Sequence, residues 1–242
     1  MMLYMRDEAD DFDDAWLMEI DIVGFSRGAA QARDFANRLV ANTITQDGRT
    51  YYRYTNAQGM EACQWVNFRF MGLFDTVLST NRSGTAYNMA IPAQFGHVAH
   101  AVALNEYRSA PAGVDAFWTA PGNFRFWDDT RIHLRGDNHY GGFPLQSIGA
   151  SSSRPGQVRI ERGFIGAHAD IGGGYAAPES GLSTVALSWM VAQAQIAGVR
   201  INVDRIPAID MNNPVIHDQS NVIRFGDPRT APDTFEVDGM LW

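Results

Sequence analysis

Five residues carry the first chemical signal: Gly24-Phe25-Ser26-Arg27-Gly28 fits the pattern G-x-S-x-G. A serine hydroxyl is a poor nucleophile; it needs a base to take its proton, and the base needs a carboxylate to orient it. The pattern supplies the setting when a strand runs straight into a helix. Flanking glycines lack the Cβ atoms that would clash at so sharp a turn, and the hydroxyl projects above the sheet edge near the positive end of the helix. Gly24 and Gly28 are read as the elbow glycines, Ser26 as the nucleophile and the Arg27 N–H as an oxyanion donor. The plainer alternative is an ordinary strand–helix turn with a capping serine.

Sites built on this turn present serine, acid and histidine in that chain order, the partners at the carboxyl ends of strands. Asp75 ends the apolar run 65–74 and His168 ends the run 158–167, so they are read as orienting acid and base. His217, in Ile216-His217-Asp218, is the main rival base. Asp170, two residues past His168, either shapes the site or caps the glycine loop, and the second is preferred. His97 and His100, three apart with Glu106 nearby, offer a metal site or, more plainly, a helical surface or core hydrogen bond. His133 and His139 are assigned to a loop. Six carboxylates within residues 7–14 lack the glycine and spacing of a calcium loop and read as a solvated helix start. The acyl-transfer chemistry requires no cofactor and no metal.

These residues need elements to position them. Residues 19–23 form a β-branched run ahead of the serine, and Ala29, Ala30, Ala32, Phe35, Ala36 and Leu39 after it recur at helical spacing. Residues 43–62 read as a surface excursion with turns at Asp47-Gly48 and Gln58-Gly59. A helix is expected from Pro92 to about Arg108, a loop-rich insertion over 109–156, and a helix from about Leu182 to Ala197 stopped by Gly198. Strands alternating with helices predict an α/β fold, a mostly parallel sheet with helices on both faces.

The 242 residues suit one domain, 1–242, with 45% hydrophobic and 19% charged residues, which excludes disorder for the whole. Net charge of −8 argues against a general nucleic-acid or anionic-membrane binder, and no lysine is present. A single cysteine, Cys63, excludes an intrachain disulfide framework and a cysteine-rich zinc site. The acidic start differs from a secretory signal, so a cytoplasmic location in the producing cell is expected.

Four segments together resemble the alpha/beta-hydrolase family of type VI secretion phospholipase (lipase) effectors of the GxSxG class: GFSRGAAQAR, FMGLFDTV, HAVALNEYR, and GFIGAHADIGGGY followed by LSWMVAQAQIAGV. HDQS at 217–220 resembles a further family element. The resemblance spans about residues 20–220, in order. It implies cleavage of acyl esters of membrane glycerophospholipids and puts nucleophile, acid and base on Ser26, Asp75 and His168. It also implies delivery by a secretion spike protein to the periplasm or membrane of a target cell, and a cognate immunity protein. The family's opening strand with its aspartate-glycine-threonine turn, and with it the loop giving a second oxyanion donor, is not found before Ser26. The sheet is therefore expected to lack its first strands, as in a fragment or reduced variant. An unpaired edge invites association, so low activity or a homo-oligomer covering that edge is expected. The aromatics at 117–127 line an acyl channel or lid, or form a plain core. An acidic surface is repelled by anionic bilayers. That keeps two rivals open, an esterase on a soluble ester and a catalytically dead hydrolase-fold binding module.

Overall fold

The computed structural model describes residues 16–78, 87–106, 145–149, 151–176, 178–212 and 214–217. The acidic stretch 7–14, the aromatics at 117–127, His133 and His139 lie outside them, as does most of the 109–156 insertion.

Strand β1 (Met18–Phe25) leads through Ser26 into helix α1 (Arg27–Ala41). Strands β2 (Thr43–Gln46) and β3 (Arg49–Thr55) follow, then β4 (Glu61–Phe74), β5 (His97–Ala103), β6 (Ser152–Arg154) and β7 (Gln157–Phe164). Helices α2 (His168–Gly172) and α3 (Gly181–Ile196) and a 3-10 turn at Val203–Arg205 close the described chain. β1, β4, β5 and β7 pair in parallel, in that order, and β6 adds an antiparallel strand beyond β7. Among the described residues β1 pairs with β4 alone. The result is the mostly parallel α/β architecture expected from the alternation of elements.

Two cores flank the sheet. Ile20 and Ile22 of β1 and Val66, Phe68, Met71 and Leu73 of β4 bury against Ala29, Ala32, Ala36 and Leu39 of α1. Phe70, Phe74, Ala99 and Ala101 bury against Ile171, Ala186, Met190 and Ala194 on the opposite face. The face that β4 presents changes at Arg69. Ile20 pairs with Phe68 and Asp21 with Phe70, so Arg69 is an extra residue and the alternation shifts by one. Its guanidinium bonds Asp21 at 2.9 and 2.5 Å, and Glu19. The buried face of α1 carries four alanines, Ala29, Ala30, Ala32 and Ala36, which lets the helix lie close on the sheet.

Three expectations about elements are corrected. The helix expected over 92–108 is strand β5, all seven residues of which are buried. Histidines three apart imitate a helical stripe, but on a strand they point to opposite faces, and a strand covered on both faces shows no alternation. His97 Nε2 meets Gln193 Oε1 at 2.9 Å, while His100 turns to Glu161, so the two cannot share a metal ion. The excursion at 43–62 is an antiparallel hairpin plus the start of β4. Its turn signals were sound: Asp47 and Gly48 both have positive φ, 50° and 74°, as a two-residue hairpin turn requires. The strand expected to run to His168 ends at Phe164. Gly166, at φ 125°, turns the chain, and His168 opens α2 instead.

Candidate active site

Phe25 and Phe74 are register partners at the carboxyl ends of adjacent parallel strands, so the residues after them, Ser26 and Asp75, emerge side by side. The Ser26 N–H donates to Phe74 O at 2.9 Å and the Asp75 N–H to Ala101 O at 2.7 Å, which carries the ladder one step past each strand. Ser26 has φ 61° and ψ −129°, a conformation that L side chains rarely adopt. Its carbonyl accepts the N–H groups of Ala29 and Ala30 and starts α1, but its side chain makes no capping bond. The hydroxyl of a capping serine would be used up in that bond; this one is not.

The elbow glycines differ in their necessity. A Cβ on Gly24 would stand 2.5 Å from the Gly28 carbonyl oxygen and 2.7 Å from Ala29 Cα, so only glycine lets α1 return this close to β1. Gly28 has nothing within 4 Å of the corresponding point among the described residues, so the expected clash there is absent. Arg27 opens α1, which sets its N–H in the first helical turn beside the serine.

Asp75 also has a positive φ, 39°, and is fully buried. Its Oδ1 accepts the Ala103 N–H at 3.0 Å, and its Oδ2 lies 2.5 Å from His168 Nδ1. An ionised carboxylate only accepts, so the imidazole proton sits on Nδ1 and Nε2 is left as an acceptor. The His168 ring packs on Phe25, centroids 4.6 Å apart, which puts the imidazole against the residue preceding Ser26. The fold thus brings together the predicted acid and base and sets the predicted nucleophile on the next strand end. No hydrogen bond joins Ser26 to His168 among the described residues; such bonds are often long until substrate is bound. A cleft of about 400 Å³ opens beside the elbow, lined by Val23, Phe25, Phe74, Ile171 and Leu187 among others.

Behind Asp75 lies a network that sequence reading did not assemble. His100 Nδ1 meets Glu161 Oε2 at 2.7 Å, and its Nε2 accepts the Thr76 N–H at 3.1 Å, with the Thr76 hydroxyl at 3.0 Å. Glu161 also accepts the Ser147 hydroxyl and the Ile148 N–H. Burial by itself would raise the Glu161 carboxyl; the bonds from His100, Ser147 and Ile148 outweigh it and hold the group below its usual range. Arg33 of α1, lowered to about 10 by burial against the opposing pull of Glu161, donates to the carbonyls of Gln146, Ser147 and Met89. The spacing of His97 and His100 was visible, but the pairing of His100 with Glu161 depends on β5 lying beside β7. The rival base His217 faces Asp170 rather than Asp75, with Nδ1 2.6 Å from Oδ1. Asp170 accepts the Ala167 N–H at 2.9 Å, so it caps the start of α2 rather than the glycine run 172–174.

Residues 40–193 match the catalytic domain of the Tle1-like phospholipase effectors of the type VI secretion system. That range contains Asp75 and His168 and begins after Ser26. Among solved structures, an uncharacterized protein from Pseudomonas aeruginosa is 24% identical over 79% of this chain, with a TM-score of 0.47. A Tle1 effector bound to the VgrG spike of the type 6 secretion system is 27% identical over 65% of this chain, with a TM-score of 0.35. The chain spans about a quarter of the length of each, 26% and 25%. No curated protein matches it.

Proposed function

This chain belongs to the Tle1-like phospholipase effectors of the type VI secretion system, matching their catalytic domain, and on that premise we propose that it is a serine hydrolase cleaving acyl esters of glycerophospholipids. The observation that carries the reading is the 2.5 Å contact between His168 Nδ1 and the buried Asp75 carboxylate, beside a serine in a strained strand–helix turn. His168 Nε2 takes the Ser26 proton as Oγ attacks the ester carbonyl. Asp75 holds the tautomer and stabilises the imidazolium that forms. The Arg27 N–H stabilises the oxyanion, worth about 10²–10³ in turnover for one such donor. His168 then protonates the departing alcohol, and water, activated by the same imidazole, releases the fatty acid.

The cleft beside the elbow, where Val23, Phe25, Phe74, Ile171 and Leu187 meet Ser180, Ser183 and Thr184, supports an acyl chain bound near the serine. Among the described residues no helix is long and apolar enough to cross a membrane. Family membership supports delivery by a secretion spike, the partner class in the solved Tle1 complex, from the producer's cytoplasm to a target cell's periplasm or membrane. A cognate immunity protein completes that proposal.

Phospholipids labelled at either acyl position, a short soluble ester and a Ser26→Ala control test the reading together. Ser26-dependent release of labelled fatty acid is expected. Cleavage of the short ester alone would move the substrate to soluble esters, and the absence of any Ser26-dependent product would leave a binding module.

A further inference from the structure

The turn that carries His168 is held in an unusual way. Three successive backbone N–H groups each donate to a side-chain oxygen: Gly166 to Asn105 Oδ1 at 2.9 Å, Ala167 to Asp170 Oδ2 at 2.9 Å, and His168 to Glu106 Oε2 at 3.2 Å. Asn105 also donates its own N–H to Gly166 O at 3.0 Å. Glu106 and Asp170 are buried, at 0% and 1% exposure. A Cβ on Gly166 would lie 2.5 Å from Asp170 Cβ, so the close approach of Asp170 is open to glycine alone.

Asp170 is itself held from outside the turn. His217 donates twice, from Nδ1 to Oδ1 at 2.6 Å and from its backbone N–H to Oδ2 at 3.1 Å. Tyr175 stacks flat on the imidazole, centroids 3.3 Å apart and planes 7° off parallel, and Glu179 stands 3.5 Å from Nε2. The chain after α3 therefore returns to grip the oxygen that caps the base's turn. Hydrogen-bonded imidazole and carboxylate, stacked and mostly buried, have one geometry open to them, which makes the turn stiff.

We propose that His217 is a positioning residue: it latches Asp170, and through Asp170 fixes the turn that aims His168 at Ser26. The inference rests on the assignment of His168 as the base, because a displacement of an ångström at a catalytic group costs up to about a hundredfold.

The test uses the full chain and two readouts, steady-state hydrolysis of a short p-nitrophenyl ester and amide hydrogen exchange at Gly166, Ala167 and His168. In His217→Ala, kcat falls about tenfold or more with KM nearly unchanged, and exchange at the three amides accelerates. His217→Asn, whose amide nitrogen stands where Nδ1 does, restores both. His217→Phe, which keeps the stack on Tyr175 and removes the donor, replaces the alanine variant should that variant not fold. Unchanged exchange in the variants lacking the donor, faster exchange with an unchanged kcat, or a loss that asparagine does not rescue overturns the proposal. Hydrolysis that survives Ser26→Ala removes the hydrolase reading instead, and exchange still decides whether the latch exists.

Discussion

At the elbow, Ser26 is set by its own backbone, by the first turn of α1 and a Gly24 that admits the Gly28 carbonyl, and by one ladder bond to Phe74 on the adjacent strand. At the turn carrying His168, neighbours in sequence supply only part of the restraint. Asn105, Glu106 and His217 come from 61, 62 and 47 residues away from their acceptor or donor partners, and Asp75 from 93. The proposed nucleophile is thus positioned mainly by backbone and close packing, and the proposed base mainly by polar side chains from distant segments. Both turns need a missing Cβ, at Gly24 and at Gly166, but the second adds side-chain hydrogen bonds from distant segments.

That contrast can be broken most sharply at the acid. Asp75→Asn keeps the size of the side chain and removes the charge that sets the His168 tautomer. Turnover should fall about 10³–10⁴-fold with melting temperature little changed, as read by ester hydrolysis alongside thermal unfolding. An unaltered rate would remove Asp75 from the proposed triad.

Gly24→Ala is the matching insult at the elbow. The added methyl meets backbone at 2.5 Å, so both stability and activity should drop, the former by about 1–3 kcal/mol. Urea titration measures it; a neutral result would mean α1 does not need this approach.

Acid should loosen the buried Glu161 network before the elbow. Glu161 has its carboxyl held low, so its contribution is present above 4.5 and is lost as pH falls through its folded value below that. His97 is lowered from 6.5 mainly by burial, against the Gln193 bond, so the folded state resists its protonation and stability declines as pH drops below 6.5. With exchange corrected for its intrinsic pH dependence, protection from pH 7.5 to 4 should therefore fall earlier at Thr76 and Ile148 than at Ala29 and Ala30 of the elbow helix, and His97→Gln should flatten the upper part of the stability profile. The smallest effect is expected at Gly28→Ala. With open space around the site and an ordinary helical backbone, it should raise stability by up to about 1 kcal/mol and spare activity. A large loss there would show that the second glycine of the motif serves something beyond packing.

The elbow, both of the strands that lead to Ser26 and Asp75, and helix α3 were legible in sequence because each is a local pattern: β-branched run, glycine turn, alanine-rich helical stripe. Strand β5 was not. His97 and His100 mimic one face of a helix, and the absence of alternation in a doubly covered strand removes the competing signal. The end of β7 was misjudged because Gly166 breaks the run only by virtue of Asp170 folding back on it.

Sequence by itself determined which residue types were present to do chemistry and the order in which the chain delivers them, since turn geometry and periodicity are properties of adjacent residues. Tertiary structure decided which imidazole meets which carboxylate. His100, His168 and His217 are chemically equivalent side chains, each within 2.7 Å of an acid. Only strand order and the fold-back after α3 give them Glu161, Asp75 and Asp170 as separate partners, because side chains 47 to 93 residues apart reach hydrogen-bonding distance only where packing brings their elements together.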